Sequence, residues 1–493
     1  MAESEFDTIA AISTAPGEGG IGIVRMSGAR AGEILARVFV RPLTAVHNET
    51  FPDRAMVYGH VVDPGSGEVV DEVLAVLMRG PGSYTGEDVC EIQCHGGTVP
   101  LRRILEICYR EGAAPAAPGE FTKRAFLNGR IDLVQAGAVA DLIRAGTERS
   151  YRAARAQAEG RLSARIREAR ELLLSALAEA VARMDYPEAF EDEGKSLSFS
   201  GLSRESRKIV DELLASVEEG RLVRDGLRVC IVGAPNVGKS SLFNALAREN
   251  AAIVTAVPGT TRDALEIWLN VRGMPVMLVD TAGIREAAGE IEALGIEKSR
   301  ERMAAADVLL FVLDGSRPIT DEDRAVAADL DAGKRTFLVL NKQDLPQAVS
   351  PEEARALAPH AGAVISLSAA GADSGRQDAA PTTTTVGDGL ARPATPDDAA
   401  GVRALEEALV RVAGEGAPAA GGGALVTRAW QAELLARAAA ELDEAEEIFA
   451  HGDAPEFAEV NLRAAYEALG ELIGETYTDD ILDRVFSDFC VGK

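Results

Sequence analysis

The chain has 493 residues and a mass of 51.9 kDa, which is too long for one hydrophobic core and predicts about two to four domains. Apolar residues make up 47% and charged residues 26% of it, a globular balance that excludes a wholly disordered chain, a collagen and a disulfide-stapled miniprotein. With 78 acidic against 51 basic residues the formal charge is −27, which argues against a general nucleic-acid coat or a basic membrane-surface protein.

The cysteine content and the lack of long apolar runs bear on location. Five cysteines are an odd and sparse set for this length, typical of reduced thiols rather than of a disulfide framework. The start of the sequence is acidic and holds no long apolar stretch, so no secretory signal is expected. No run of about 18 uncharged apolar residues occurs, so no membrane span is expected. The sequence therefore predicts a cytoplasmic protein with no membrane partner.

Four stretches of different pattern follow one another along the chain. Residues 1–120 combine short β-type runs, such as Ile21–Met26, with Gly/Pro turns and predict a compact α+β domain. Residues 121–222 change to long helices rich in Ala, Leu, Arg and Glu. Residues 223–412 begin with a continuous apolar strand and then alternate strands with helices, as a parallel α/β sheet requires. Residues 413–493 return to amphipathic helices after a Gly/Ala/Pro linker.

The order of these stretches predicts the architecture. One helical domain in two sequence pieces, with an α/β domain inserted between them, is the economical interpretation, because inserted domains join where their termini lie close together. The predicted fold class is therefore multidomain α+β, and the two helical pieces are expected to pack on each other. Residues 372–400 have only Val386 and Leu390 as large apolar side chains, and this composition predicts a disordered surface insertion.

A phosphate-binding loop is predicted at residues 233–240, GAPNVGKS. The segment follows a predicted strand, precedes a helical pattern and fits G-x-x-x-x-G-K-[ST]. In such a loop the backbone N–H groups and the helix N-terminus hold the phosphates. Lys239 is expected to reach the β and γ oxygens, and the Ser240 hydroxyl to bind Mg²⁺.

Three further motifs follow in the order expected of a Ras-like GTPase: Thr260-Thr261, Asp280-Thr-Ala-Gly283 and Asn341-Lys-Gln-Asp344. Asp344 can accept two hydrogen bonds from the donor edge of guanine, which adenine cannot offer, so GTP is favoured over ATP. The inserted domain is therefore predicted to be a P-loop GTPase.

The residue that orients the attacking water is not the usual one. Many regulatory GTPases carry a Gln directly after the motif that corresponds to Asp280-Thr-Ala-Gly283, whereas this chain has Ile284 there. The nearby carboxylates Glu286, Glu290 and Glu292 are the candidates for that role, and their spacing does not choose among them.

Six segments, some of them overlapping these motifs, carry a resemblance to a known family: PGEGGIGIVRMSG (16–28), SYTGEDVCEIQCHGG (83–97), PGEFTKRAFLNGRIDL (118–133), GAPNVGKSSLFN (233–244), PGTTRD (258–263) and CVGK (490–493). With these and the inserted-domain layout, the chain closely resembles the MnmE (TrmE) family of tRNA-modifying GTPases over nearly its whole length.

The resemblance implies an activity, its cofactors and its partners. It implies a homodimer joined through the N-terminal domains, each binding a tetrahydrofolate derivative in the 5,10-methylene or 5-formyl form. It also implies a complex with the flavoprotein MnmG, which supplies FAD and NADH. That complex adds an aminomethyl or carboxymethylaminomethyl group to C5 of the wobble uridine of certain tRNAs. Folate contacts carry over to Arg25, Glu91, Arg130 and Lys493. Cys490 carries over as a catalytic or substrate-contacting thiol, and a packed helix-end thiol is its alternative.

The resemblance also implies how the nucleotide is held and hydrolysed. A potassium ion takes the place of an arginine finger and is bound by Asn236, Thr255, Val257 and Thr260, while Mg²⁺ is bound by Ser240 and Thr261. Asn236 and Glu292 are then the catalytic residues, with Glu292 orienting the water. The implied GTP-binding residues are Asn236, Val237, Gly238, Lys239, Ser240, Ser241, Thr255, Ala256, Val257, Pro258, Gly259, Thr260, Thr261, Asp280, Thr281, Ala282, Gly283, Asn341, Lys342, Asp344, Ser368, Ala369 and Ala370.

An alternative function is a GTP-dependent RNA-binding switch of the ribosome-assembly type. Such proteins usually carry an RNA-binding appendage, for example a KH fold with its G-x-x-G loop, and the acidic, helical C-terminal piece has no such motif. Eight arginines of the first helical piece could face tRNA phosphates or simply form a solvated helix face: Arg149, Arg152, Arg155, Arg161, Arg165, Arg167, Arg170 and Arg183. Folate binding distinguishes the two functions, because only the modifying enzyme requires it.

Overall fold

The computed structural model describes residues 7–41, 51–186, 198–250, 266–280, 300–369, 396–414, 424–451, 455–487 and 489–493. The chain divides into two compact units. The first comprises Met1–Ile143, Ala154–Glu212 and Trp430–Lys493, and the second comprises Arg144–Ala153 and Leu213–Ala429. Within the described ranges no helix combines the length and the apolar character needed to cross a membrane.

The first unit begins with a seven-stranded sheet. Its strands are β1 (Ile9–Ile12), β2 (Gly19–Ser27), β3 (Phe39–Val40), β4 (Val57–Val62), β5 (Val69–Met78), β6 (Val89–Gly96) and β7 (Ala114–Pro115). The accompanying helices are α1 (Ala31–Val38), α2 (Thr98–Arg110) and α3 (Glu120–Leu127). The strand order is β3-β4-β5-β6-β2-β1-β7, and every pair is antiparallel except β1 with β7.

Alternation of side chains gives this sheet one buried and one open face. On β6, Cys90, Ile92 and Cys94 are buried, whereas Glu91 is half-buried and His95 is exposed. Successive side chains of a strand point to opposite faces, so the buried set shares one face. That face packs against the apolar sides of α1 and α2 in a single core. The open face is therefore the one that can present polar side chains to a ligand.

The helical region is formed by two groups of helices that are far apart in sequence. The first group is α4 (Leu133–Arg144), α5 (Glu148–Ala158), α6 (Arg161–Asp185), α7 (Ser198–Ala215) and α8 (Val217–Asp225). The second group, which follows the GTPase-like segment, is α13 (Ala429–His451), α14 (Pro455–Ile473) and α15 (Asp479–Phe486).

Helices α6 and α14 join the two groups. The Arg170 guanidinium lies 4.1 Å from the centroid of the Tyr466 ring and donates to the Tyr466 carbonyl oxygen at 3.3 Å. Arg170 also forms an ion pair with Glu475. The two helical pieces thus pack on each other, as the inserted-domain layout predicts.

The second unit contains a six-stranded sheet. Its strands are β8 (Leu227–Val232), β9 (Glu266–Val271), β10 (Met274–Asp280), β11 (Val308–Asp314), β12 (Arg335–Asn341) and β13 (Ala363–Ser366). Its helices are α9 (Lys239–Asn250), α10 (Asp321–Ala328), α11 (Pro351–Leu357) and α12 (Pro396–Gly414). The strand order is β13-β12-β11-β8-β10-β9, parallel throughout except for the edge strand β9.

Local sequence explains these elements. All seven residues of β11 are buried, as expected of a central strand in a parallel sheet covered on both faces. Helices α10 and α11 begin with capping boxes, in which Thr320 pairs with Asp323 and Ser350 with Glu353. Because parallel strands end at one edge of the sheet, the loops that follow β8, β11 and β12 meet there.

The predicted fold class is confirmed: an N-terminal α+β part, helices in two sequence pieces and an inserted parallel α/β sheet are all present. The predicted disordered insertion is wrong at its end, because residues 396–400 form the first turn of α12. Proline, here Pro396, is favoured at the start of a helix, since its φ is already helical and its missing N–H would have no partner there. Residues 372–395 of that prediction lie outside the described residues.

Candidate functional site

The predicted phosphate-binding loop connects β8 to α9, and two glycines determine its path. Gly233 has φ +153° and Gly238 has φ +97°, values that glycine adopts without steric cost. A Cβ at Gly233 would lie 2.5 Å from the Val312 carbonyl oxygen, and a Cβ at Gly238 would overlap the side-chain amide of Asn341. The two glycines therefore let the loop pass directly against β11 and β12.

Lys239 and Ser240 lie at the first turn of α9. Lys239 is buried, and its Nζ donates to the Gly233 carbonyl at 3.0 Å and to the Ala234 carbonyl at 2.7 Å. Ser240 and Ser241 are exposed at the helix N-terminus. Exposed hydroxyls, backbone N–H groups and a buried ammonium at a helix N-terminus form a site suited to an anion. Phosphate is the anion that this arrangement fits.

Asn341 ties together the loops on the other side of this site. It is buried, its Nδ2 donates to the Val237 carbonyl at 2.9 Å, and its Oδ1 accepts from the Ala369 N–H at 3.0 Å. The Ser368 hydroxyl donates to Asp344 Oδ1 at 2.5 Å. The structure thus brings together the phosphate loop, the Asn341–Asp344 motif and the Ser368 loop, as a guanine site requires.

Lys342 adds a second link between these loops. Its Nζ donates to the Asn236 carbonyl at 2.9 Å and to Asp314 Oδ2 at 2.7 Å. Asp314 is not among the predicted site residues. The sequence signal that could have indicated it is a single carboxylate at the end of an otherwise apolar strand.

Several predicted nucleotide and cation residues lie outside the described residues: Thr255, Ala256, Val257, Pro258, Gly259, Thr260, Thr261, Thr281, Ala282, Gly283, Glu292 and Ala370. The roles assigned to these residues stay predictions. Asp280 is the last residue of β10, and its backbone is in register with Ile231 of β8.

A second polar site lies on the open face of the seven-stranded sheet. Arg25 on β2 and Glu91 on β6 are direct cross-strand partners. Arg25 donates from Nε to Glu91 Oε1 at 2.9 Å, and its Nη2 lies 2.8 Å from the same oxygen. Both side chains are only 17% exposed. This paired arginine and glutamate can offer both a donor and an acceptor to one ligand.

The segment 490–493 docks beside this pair. The Gly119 N–H donates to the Cys490 carbonyl at 3.4 Å, and the Phe121 N–H to the Lys493 carbonyl at 3.2 Å. Gly492 accepts from the Ser13 hydroxyl at 3.1 Å and from Arg25 Nη1 at 3.5 Å. The structure therefore brings Lys493 and Cys490 to the N-terminal sheet, and the Cys490 side chain is exposed there.

Tyr84 completes the surroundings of Arg25 and was not predicted. Its ring centroid lies 5.9 Å from the Arg25 guanidinium carbon, and its hydroxyl is 2.9 Å from that of Thr122. Burial raises the pKa of Tyr84, although the charges of Arg25 and Arg130 oppose this rise. Arg130 is exposed just after α3. Segment 83–97 contains this tyrosine, but its contact with Arg25 arises only from the folded chain.

The eight arginines considered for tRNA binding each have a carboxylate partner. The pairs are Arg149–Glu219, Arg152–Glu148, Arg155–Glu159, Arg161–Glu159, Arg165–Glu168, Arg167–Asp132, Arg170–Glu475 and Arg183–Glu179. Arg170 and Arg183 are only 10% and 13% exposed. For the other six, local ion pairing offsets charge, so the structure favours a solvated helix face for them.

Comparisons with family models and with sequence relatives agree with this organisation. Residues 8–130 match a family model described as the GTP-binding protein TrmE N-terminus, and residues 133–490 match one described as the MnmE helical domain. The tRNA modification GTPase MnmE of Thermoanaerobacter pseudethanolicus is 41% identical over 488 residues, covering 99% of this chain and 100% of that protein. That of Geobacter sulfurreducens is 45% identical over 488 residues, covering 99% of each chain. Among solved structures, a point variant of Aquifex aeolicus Era bound to GDP.AlF4− is 27% identical. The match covers 29% of this chain and 50% of the Era chain, with a TM-score of 0.23.

Proposed function

This chain belongs to the MnmE family of tRNA modification GTPases, and from this premise we propose that it hydrolyses GTP to drive modification of the wobble uridine of certain tRNAs. With the flavoprotein MnmG, it adds an aminomethyl or carboxymethylaminomethyl group to C5 of that base. The observation that carries the proposal is the docking of segment 490–493 beside Arg25 and Glu91, because it builds a second polar site that a simple GTPase does not need.

The GTP phosphates bind at the N-terminus of α9. The Lys239 ammonium leaves its two carbonyl acceptors in the loop, Gly233 and Ala234, for the β and γ oxygens, since a charged acceptor binds an ammonium more strongly than a neutral one. The guanine edge meets Asp344, which the Ser368 hydroxyl holds in place. Tight anchoring of base and phosphates fixes the γ-phosphate for in-line attack.

The donor atoms present suit the two cations. Ser240 places an exposed hydroxyl at the start of α9, and hydroxyl oxygen is a ligand that Mg²⁺ accepts beside phosphate. Asn236 is exposed with φ +63°, and its side-chain amide oxygen suits K⁺. Mg²⁺ would neutralise phosphate charge, and K⁺ would supply the charge that an arginine finger gives elsewhere. Thr261 for Mg²⁺ and Thr255, Val257 and Thr260 for K⁺ complete the proposed sets.

The tetrahydrofolate derivative is proposed to bind on the open sheet face. Glu91 would accept hydrogen bonds from the pterin N–H groups, while Arg25, Arg130 and Lys493 would bind its carboxylates. The carrier would supply the one-carbon unit. The fit is supported by the largely shielded Arg25–Glu91 pair and by the Tyr84 ring beside it, which offers a flat apolar surface.

The proposed homodimer uses the same sheet face. Leu74 on β5 and Tyr58 on β4 are cross-strand partners. Gln93 on β6 pairs with both Leu74 and Ile23 of β2, so these side chains share one face of the sheet. Ile21, two residues before Ile23 on the same strand, lies on that face too. Ile21 is 64%, Tyr58 50% and Leu74 41% exposed. Several exposed apolar side chains on one sheet face are typical of a protein interface. The partner that the family resemblance implies for this face is a second copy of the chain.

The test is equilibrium binding of 5-formyltetrahydrofolate, measured by titration calorimetry. We expect the wild type to bind, and Glu91→Gln to raise the Kd at least about ten-fold, because it removes a charged acceptor. Glu72→Gln is the matched control: this carboxylate lies on the same sheet face, bonded to Tyr58, and its loss is expected to leave the Kd unchanged. A wild type that binds GTP but no folate would favour the ribosome-assembly switch instead.

A further inference from the structure

Asp314 occupies an unusual position for a carboxylate. It is the last residue of the buried strand β11 and is only 7% exposed. It lies in register with Asn341 at the end of β12, so it faces the edge of the sheet where the phosphate loop passes. A carboxylate is seldom buried unless it is paired and hydrogen-bonded.

Every contact of this carboxylate fixes its orientation. Oδ1 accepts from the Ser316 N–H at 3.0 Å and from the Ser316 hydroxyl at 2.6 Å. Oδ2 accepts from Lys342 Nζ at 2.7 Å, and Arg317 Nε lies 3.8 Å from it. Burial raises the pKa of Asp314, but hydrogen bonds from Lys342 and Ser316 outweigh it and hold that pKa below its ordinary value. Asp314 is therefore a fixed negative charge at neutral pH.

Lys342 passes this restraint on to the phosphate loop. Its Nζ is shared between Asp314 Oδ2 and the Asn236 carbonyl oxygen. Lys342 and Asn236 both have φ +63°, a conformation that non-glycine residues hold only when their surroundings impose it. An ammonium held by a charged acceptor donates along a defined direction, so its second bond fixes the carbonyl of Asn236 relative to the guanine motif.

We propose that Asp314 is a positioning residue for the nucleotide: through Lys342 it holds the Asn236 backbone of the phosphate loop in its binding conformation. This inference rests on the proposed function, because it assumes that the loop binds GTP. Asp314 touches neither base nor phosphate in this role, and it acts by keeping the loop ready before the nucleotide arrives. The consequence is a higher affinity for both GTP and GDP.

The experiment is a double-mutant cycle on GDP affinity, measured with fluorescent GDP and the full-length protein. Asp314→Asn and Lys342→Met are each expected to raise the Kd about ten-fold, the effect of losing one charged hydrogen bond. The double variant is expected to bind no worse than the weaker single variant, because both changes break the same link.

Asp307→Asn supplies the matched control. Asp307 immediately precedes β11, accepts from the Arg228 N–H and pairs with Arg221, so it is a bonded carboxylate at the opposite end of the same strand. Its change is expected to leave the Kd within about two-fold of wild type and to combine additively with Lys342→Met. If Asp314 only stabilised the fold, Asp314→Asn and Asp307→Asn would have the same effect on the Kd for GDP.

Three outcomes overturn the inference: wild-type affinity in Asp314→Asn, full additivity of Asp314→Asn with Lys342→Met, or equal coupling of Lys342 to Asp307. If Asp314→Asn does not fold, Ser316→Ala carries the test, because it loosens the carboxylate while leaving Lys342 in place. It is expected to raise the Kd about three-fold, and an unchanged Kd contradicts the inference. A wild type that binds no GDP would instead refute the proposed GTPase function.

Discussion

At Gly238 the absence of a Cβ atom lets the phosphate loop pass directly against Asn341. Its φ of +97° and the overlap that a Cβ would have with the Asn341 amide are two separate constraints. Gly273, in the turn between β9 and β10, has a similar φ of +89° but nothing within 4 Å of the Cβ position. A side chain at Gly273 would therefore cost backbone strain alone, whereas a side chain at Gly238 would add a steric clash with Asn341.

Substitution of these glycines tests that difference. Gly238→Ala is expected to weaken GDP binding by at least about ten-fold, because the displaced Asn341 no longer joins Val237 to Ala369. Gly273→Ala is expected to lower the free energy of unfolding by about 1 kcal/mol and to leave GDP affinity unchanged. Fluorescence titration and urea unfolding measure the two quantities. Equal GDP affinity in both variants would show that the Asn341 contact is dispensable.

At the scale of elements, segment 490–493 behaves as a short extra strand. Val491 forms an antiparallel bridge with Pro118, and Gly492 has φ +96° with its Cβ position overlapping the Ile12 carbonyl. A backbone that approaches this closely excludes any side chain. Glycine at 492 is thus the condition for docking the segment beside Arg25.

Gly492→Ala is expected to release this segment. The Gly119 and Phe121 amides, which donate to the Cys490 and Lys493 carbonyls, should then exchange hydrogen faster, since exchange follows local opening. Gly17→Ala is the control, because Gly17 has φ +130° in the neighbouring β1–β2 loop but nothing within 4 Å of its Cβ position. Unchanged exchange at both amides in Gly492→Ala would mean that the segment tolerates a side chain there.

The elements also separate what sequence could predict from what it could not. The phosphate loop and the buried strand β11 are local patterns of a few residues, and both lie where the sequence places them. The role of Asp314 depends on Lys342, 28 positions away. The periodicity of apolar residues along the chain does not predict a contact between positions so far apart. The first turn of α12 differs from the prediction because residues 396–400 resemble the preceding linker in composition, while the apolar side of the helix comes later.

At the scale of the whole molecule, α6 and α14, which precede and follow the GTPase-like segment in sequence, pack on each other. A change within the inserted domain on GTP binding is proposed to move helices that flank it in sequence. Potassium is proposed to set the rate of this cycle through Asn236, whose carbonyl oxygen accepts a hydrogen bond from Lys342.

Hydrolysis of GTP in K⁺ and in Na⁺ at matched ionic strength tests the potassium requirement. The rate is expected to be on the order of ten-fold higher in K⁺, and Asn236→Gly should abolish that difference while keeping the φ of +63° accessible. Arg272→Gly, at another non-glycine position with positive φ of +53°, is the control and should retain it. Equal wild-type rates in both salts would exclude a potassium-dependent site.

The bond between Ser13 and Gly492 joins positions 479 residues apart, and this distance has a consequence for protein synthesis. Strands β1 and β2 leave the ribosome early, whereas residues 490–493 emerge only after the inserted domain has been translated. The nascent N-terminal domain must therefore remain open at Gly119 and Phe121 throughout that interval. The site around Arg25 is therefore completed only after residues 490–493 have left the ribosome.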